Sequence, residues 1–394
     1  MEKADNPMGA AGQSSVELLI VGGGIMGLWA AVHAERLGVD TLVVDAGSLG
    51  RGASGGLLGA LMPHMPDRWS EKKQFQFDAL VSLEADIARI ESETGLSAGY
   101  RRSGRLMPLP KPHLRTIALR HSQDAERHWQ TGERRFHWHV LDAPPIEGWI
   151  DASAGESGFV HDTLAARVAP RSLIAALIAF LRKAQHVRIA DNLAIDGIDP
   201  ARGVAATREG DIRFARCILS AGHRSFPMLD ELTAGRQSPL GQPVKGQAAL
   251  LKADVDAALP VIFRDGLYVV SHEGGHVAIG STSEDRFDDP FSTDGQLDEL
   301  IDSARRLVPS LASAEVVERW AGLRPKAIDR DPMVGVHPNH PSLIALTGGF
   351  KVSFGLAHRL AEAAVCEAMR ILPLIYLPKS FTLISQIDAA SRKT

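Results

Sequence analysis

Hydrophobic and polar positions change period several times along the chain, and each change marks an element. VELLIVGG, residues 16–23, is short and almost wholly apolar, which predicts a buried strand. From Ile25 to Leu37 the apolar positions recur at helical spacing and stop at Gly38, a residue suited to a C-terminal cap. DTLVVDAG, residues 40–47, predicts a second strand. Helices are expected over 71–94, near 113–130, and in RVAPRSLIAALIAFLRKA, where Pro170 stands near the start. HVRIADNLAIDGIDP, GVAATREGDIRFARCILSAG and PVKGQAALLKAD read as strands with turns at Asp-Gly, Asp-Pro and Glu-Gly-Asp. GLYVVSHEGGHVAIGSTSE reads as a hairpin around Glu273-Gly274-Gly275, and DGQLDELIDSARRLVP as a helix. SLIALTGGFKVSFGLAHRLAEAAVCEAM predicts a strand, a glycine turn and a long helix.

A chain of 394 residues exceeds one typical core and suggests two domains. Its 45% hydrophobic and 23% charged residues are ordinary for a globular protein, and a net charge of -4 gives no general reason to expect DNA or RNA binding. One stretch departs from that average. Between Arg101 and His139 nine basic residues stand against three acidic ones, which reads as a solvated helical face or as a surface for an acidic partner. Cys217 and Cys366, the only cysteines, form no disulfide framework or metal spacing and read as core residues of a reducing, cytoplasmic setting. The polar first fifteen or so residues read as disordered and lack a signal-peptide core. No stretch reaches the ~18 apolar residues of a membrane span. ILPLIYLP, residues 371–378, is expected to pack on the core, with peripheral membrane association as the alternative.

The first strand ends in Gly22, Gly24 and Gly27, spaced G-x-G-x-x-G. In a strand-turn-helix the first glycine permits the turn, the second lets a pyrophosphate approach the backbone, and the third packs helix on strand. Free N–H groups at the helix start then face the phosphates. Asp45 lies 18 residues beyond Gly27, where a carboxylate meets ribose hydroxyls and repels the extra phosphate of NADP. FAD and NAD both remain open at this point. RGASGGLLGALMP, residues 51–63, could lay backbone N–H groups along an extended cofactor, with Arg51 and Ser54 adding a charge and a hydroxyl at the pyrophosphate. A second strand-glycine-helix passage, with Gly348, Gly349 and Gly355, follows about 320 residues after the first. NAD leaves that turn without a task. The longer FAD, with its ring against a second helix N-terminus, gives it one.

These passages, with VKGQ and WAGLRPKAIDRDPMVG between them, appear in an order that resembles the D-amino-acid oxidase superfamily of FAD enzymes. The nearest branch holds glycine oxidase, D-amino-acid dehydrogenase and sarcosine oxidase. The resemblance implies an α/β fold, α+β overall: a Rossmann-like FAD-binding domain plus a mostly antiparallel sheet that roofs the flavin. Strands around 100–110 and 242–282 would build the roof. The FAD domain would comprise 16–98, 153–238 and 321–394, and the substrate domain 99–152 and 239–320. Implied FAD contacts are Gly22, Gly24, Ile25, Met26, Gly27, Asp45 and Ala46, then Arg51, Ala53, Ser54, Gly59, Ala60 and Leu61. Ile195, Ala221, Gly222, Gly348, Gly349, Phe350, Lys351, Val352 and Ser353 complete that set. No metal is expected, and no cysteine is placed to attach the flavin covalently.

The implied reaction takes hydride from a carbon beside an amine to flavin N5, and the imine then hydrolyses. Arg324 would clamp the substrate carboxylate, or else pair with Asp329 or Asp331. Tyr268 would help hold the carboxylate, and Lys351 would touch substrate or flavin. Ala278 stands where sarcosine oxidase carries its oxygen-promoting lysine, so oxygen, a quinone or a carrier all stay open as acceptor. His64 reads as an ordinary loop residue. Two alternatives remain: an FAD enzyme acting on a carboxymethylaminomethyl uridine of tRNA, and a flavin-bound subunit of a hetero-oligomeric dehydrogenase.

Overall fold

The computed structural model describes residues 14–372 and 375–392. The expected disordered leader therefore lies outside the described residues, except that Ser14 and Ser15 already belong to the first strand. Strands Ser14–Val21, Thr41–Val44, Val187–Ala190 and Gly210–Leu219 form a parallel sheet. The strand Gly210–Leu219 has two partners along one edge. Its first half pairs antiparallel with Val204–Thr207, and its second half parallel with His340–Thr347.

Both faces of the middle of this sheet are covered, which explains why residues 18–21, 42–44 and 217–219 are continuously apolar, whereas the start of Gly210–Leu219 alternates. Leu18, Ile20 and Val43 face helices Ile25–Leu37, Glu71–Thr94, Pro170–Leu181 and Ser353–Met369. Leu19, Val21, Leu42 and Val44 face the other way, against Phe226 and Leu229 of helix Ser225–Leu232 and Leu383 and Ala390 of helix Leu383–Arg392. Gly38 ends the first helix at φ 71°, as its position predicts.

A second, eight-stranded sheet runs in the order Glu315–Ala327, Gly241–Lys252, His276–Gly280, Leu267–His272, Val261–Arg264, Arg105–Pro108, Phe159–Asp162, Trp138–Leu141. All its pairs are antiparallel except Val261–Arg264 with Arg105–Pro108. Here alternation is clear. Ala249, Leu251, Val269, Val277 and Ile279 pack outward with Leu297, Ile301 and Ala304 of helix Gly295–Leu307. Ala248, Val270 and Ala278 turn inward with Leu57 and the half-buried Tyr268 and Trp320. Arg167, fully buried, donates two hydrogen bonds to the Glu273 carboxylate at the hairpin tip, which ties this sheet to the loops above the first.

Three expectations need correction. Strand Glu315–Ala327 was not foreseen, because its exposed edge reads as a polar run; it crosses the expected boundary at 320/321. Strand Phe159–Asp162 lies in a segment assigned to the cofactor part, yet it pairs with Arg105–Pro108 in the second sheet. The tail does not pack wholly on the core. Leu372 is 91% and Tyr376 72% exposed, while Ile375 is buried; the left-handed cap at Arg370 turns the chain outward first.

Candidate active site

A cavity of about 850 Å³ lies between the two sheets. At one end the first strand breaks at Gly22, whose φ of 110° is the conformation glycine adopts freely. A Cβ there would lie 2.4 Å from the Ser220 carbonyl oxygen, and the Ser220 hydroxyl donates to the Gly22 carbonyl at 3.0 Å. Gly24, Ile25 and Met26 form the wall at the helix start. Gly27 stands behind that wall: its Cβ would sit 1.9 Å from the Gly22 oxygen, so helix and turn touch only because the side chain is absent.

Asp45 and Ala46 line the same end, with Ile195 beside them. Asp45 accepts hydrogen bonds from the N–H groups of Gly23, at 2.7 Å, and Gly47, at 2.9 Å. The loop 51–63 supplies Arg51, Ala53, Ser54, Gly59, Ala60 and Leu61 to the wall. The Ser54 hydroxyl accepts from the Ile25 N–H at 3.0 Å, so it caps the helix from outside. Ala221 and Gly222 line the cavity beyond Ser220.

Phe350, Lys351, Val352 and Ser353 also line the cavity, where the last long helix begins. Gly348 and Gly349 stand behind them. A Cβ on Gly349 would lie 2.4 Å from Met26 Cε, so the two glycine turns, far apart in sequence, touch in space.

The roof brings Tyr268 and Arg324 to this cavity. Tyr268, Gly280, Ala248 and Trp320 form one row across four strands. Arg324 lies flat over Gly246: a Cβ at 246 would sit 1.8 Å from its Nη1. Its Nη1 donates to the Thr282 carbonyl at 3.1 Å. Among the described residues no carboxylate pairs with Arg324, and Asp331 pairs instead with Lys72 at 2.7 Å. Burial pushes the Arg324 pKa down to about 10, against a smaller pull from Tyr268 and Glu284. Burial raises the Tyr268 phenol, while Arg105 and Arg324 draw it back. Burial and the Arg324 charge lower the Lys351 pKa. The Phe350 N–H donates to the Pro325 carbonyl at 3.1 Å, which joins the Lys351 turn to the Arg324 strand.

Several residues escaped the sequence reading. Arg105, grouped above with a basic surface, is 3% exposed and lines the cavity. His64 also lines it, with its pKa lowered by burial and by Lys73 and Lys72. Gln76, buried, fixes the segment before His64 by accepting from the His64 N–H at 2.6 Å and donating to the Met62 carbonyl at 3.1 Å. His272 Nε2 donates to the Leu57 and Leu58 carbonyls, each at 3.2 Å, and burial pushes its pKa down to about 4. The VKGQ passage also gains a task. Lys245 lies 3.8 Å from Glu284 and 3.7 Å from Asp294, and Gln247 bonds both carboxylates, so they hold the segment that presents the Thr282 carbonyl to Arg324. Five of the nine basic residues of the stretch are paired with carboxylates: Arg102 and Arg134 with Glu84, Arg115 with Asp142, Arg127 with Asp124, and Arg105 with Asp162.

The cavity fits an extended anionic dinucleotide. Its wall carries Arg51, Arg105, Arg224, Arg324 and Lys351 against one carboxylate, Asp45, and a helix start and a glycine turn face one end. A parallel sheet with such a turn, roofed by an antiparallel sheet, defines a two-sheet flavin-type oxidoreductase. The family model of FAD dependent oxidoreductases (DAO) matches residues 17–363, and the chain belongs to that family. Glycine oxidase of Pseudomonas aeruginosa is 30% identical over 356 residues, covering 87% of this chain and 92% of the relative. Glycine oxidase of Pseudomonas putida has the same identity and coverage. The crystal structure of glycine oxidase from Geobacillus kaustophilus superposes with a TM-score of 0.83 at 21% identity, covering 94% of this chain and 98% of the other. Iminodiacetate oxidase from Chelativorans superposes with a TM-score of 0.79 at 22% identity, covering 93% and 98%. The protein is thus an FAD-dependent oxidoreductase. Among the described residues no helix is long and apolar enough to cross a membrane.

Proposed function

We propose that the protein oxidises the C–N bond of a small amino acid, glycine-like, D- or N-substituted, to an imine that water then hydrolyses. The observation that carries this reading is Arg324: a guanidinium in the FAD cavity whose protein partner is a carbonyl rather than a carboxylate. A substrate carboxylate supplies the missing charge through two parallel N–H bonds, which fixes orientation as well as position. Tyr268, a phenol on the same wall, donates its O–H to the same carboxylate. Lys351 adds positive potential at the end where the last helix begins. Glycines 24, 27 and 349 let the main chain come close to the cofactor and to itself. FAD, when bound, would supply the acceptor for the hydride on the carbon beside nitrogen. The amine binds neutral; loss of the hydride leaves it an iminium, which gives one N–H proton to water and leaves as the imine. His272 and Gln76 hold the loop 57–64 in the cavity wall.

The glycine oxidases among the relatives favour this substrate class. The test is the visible spectrum of the purified protein during anaerobic addition of glycine, sarcosine and a panel of D- and L-amino acids. Bleaching of the flavin bands by one of them is expected. A flavin that none of them reduces would sink the reading. Oxygen uptake on re-aeration then separates an oxidase from a dehydrogenase.

A further inference from the structure

Arg105 sits on the roof strand Arg105–Pro108 and lines the cavity that also holds Arg324 and Tyr268. Two of its guanidinium nitrogens are committed. Nε donates to Asp162 Oδ2 at 2.6 Å, and Nη1 to the Pro63 carbonyl at 3.3 Å. Nη2 has no partner, although the side chain is only 3% exposed. The arginine cannot turn away to find one. Asp162 is fully buried and is itself fixed by the Ala165 N–H at 2.8 Å, and the Trp138 ring lies 5.6 Å from the guanidinium carbon.

Buried polar groups in folded proteins are hydrogen-bonded, so an orphan on a cavity wall calls for a partner that arrives with a ligand. Among the described residues the one carboxylate on the wall is Asp45, which accepts from the Gly23 and Gly47 N–H groups at the glycine turn. Arg324 is already matched to one carboxylate in the reading above, on which this inference rests. We infer that the substrate carries a second acidic group, on its side chain or on its nitrogen, and that Arg105 binds it. The substrate class is then an amino dicarboxylate rather than glycine itself. Tyr268 lines the same cavity wall as both arginines.

The test is binding of inert acids to the FAD-loaded protein, read from the shift of the flavin spectrum. Malonate, succinate, glutarate and adipate are compared with propionate, butyrate and valerate. The best diacid should bind about tenfold or more tightly than the monoacids. Arg105→Lys keeps a charge beside Asp162 but loses the planar fork, and should cut that ratio severalfold. The double variant Arg105→Leu with Asp162→Leu leaves no unpaired buried charge; with flavin content intact as the sign of folding, it should abolish the ratio. Diacids that bind no better than monoacids overturn the inference, as does a ratio that survives in both variants. The outcomes separate the two readings. Reduction by monocarboxylic amino acids alone, with no diacid preference, keeps the oxidase and removes the second site. An Arg105-dependent diacid preference without reduction by any amine keeps the second site and removes the oxidase.

Discussion

On one side of the cavity the work is done by the main chain, at Gly22, Gly24 and the opening turn of helix Ile25–Leu37, with Asp45 and Ser54 locking those N–H groups in place. On the other side it is done by side chains. Tyr268, Trp320, Arg324 and Arg105 come from three strands of the roof. The first surface suits a ligand part that is the same in every member of a family, because backbone atoms offer little to vary. The second can change its substrate by single substitutions without disturbing the first. The two meet, among other places, at the Phe350 N–H donating to the Pro325 carbonyl and at the hydrogen bonds of His272 to the loop 57–58.

That contrast can be broken at its strongest point by Gly27→Val. The new side chain would collide with the Gly22 carbonyl, so the variant is expected to purify without flavin colour, whatever the roof does. Retained flavin would show that the floor tolerates side chains. Next in size is Arg324→Leu, for which kcat/KM should fall by about 100-fold while flavin content stays at the parent level. A loss of flavin instead would mean that Arg324 serves the floor. Gly246→Ala sharpens the same point without touching the arginine. It should displace the guanidinium and raise KM by about tenfold, again with flavin retained.

Acid should affect both halves. His33, His272 and His337 have pKa values pushed from 6.5 down to about 4 by burial. Between these values the unfolded chain takes up protons that the folded chain refuses. Their contribution to stability is therefore complete above pH 6.5 and is lost as pH falls toward about 4. A series of melting temperatures across that window should slope downward on the acid side, and His272→Gln should flatten the slope. The smallest effect belongs to Ser54→Ala. Loss of one helix cap costs about 1 kcal/mol, a drop of about 2–4 °C in Tm.

The floor was legible in the sequence because its signals are local. The glycines, the helix cap Gly38 and Asp45 all fall within one strand-helix-strand passage. The roof was less so. Arg105 reads as one more cation in a basic stretch, and its burial depends on Asp162, 57 residues away, and on the carbonyl of Pro63. Strand Glu315–Ala327 begins with exposed positions, and its identity comes from pairing with Gly241–Lys252. Arg324 could be named from family likeness, but its seat over Gly246 could not, since that depends on the register of two strands some 80 residues apart.

The strand Gly210–Leu219 shares one edge between Val204–Thr207 and His340–Thr347. During synthesis the first partner is already present when this strand leaves the ribosome, whereas the second is still more than a hundred residues from being made. The helix that follows the second partner packs on helix Ile25–Leu37, where His33 Nε2 bonds the His358 carbonyl at 2.9 Å. The nascent chain must therefore carry its glycine turn unfinished, with one flank of the first helix bare, through most of translation. Cofactor capture becomes a late event, and a stalled or truncated chain would present an apolar surface rather than a half-working enzyme.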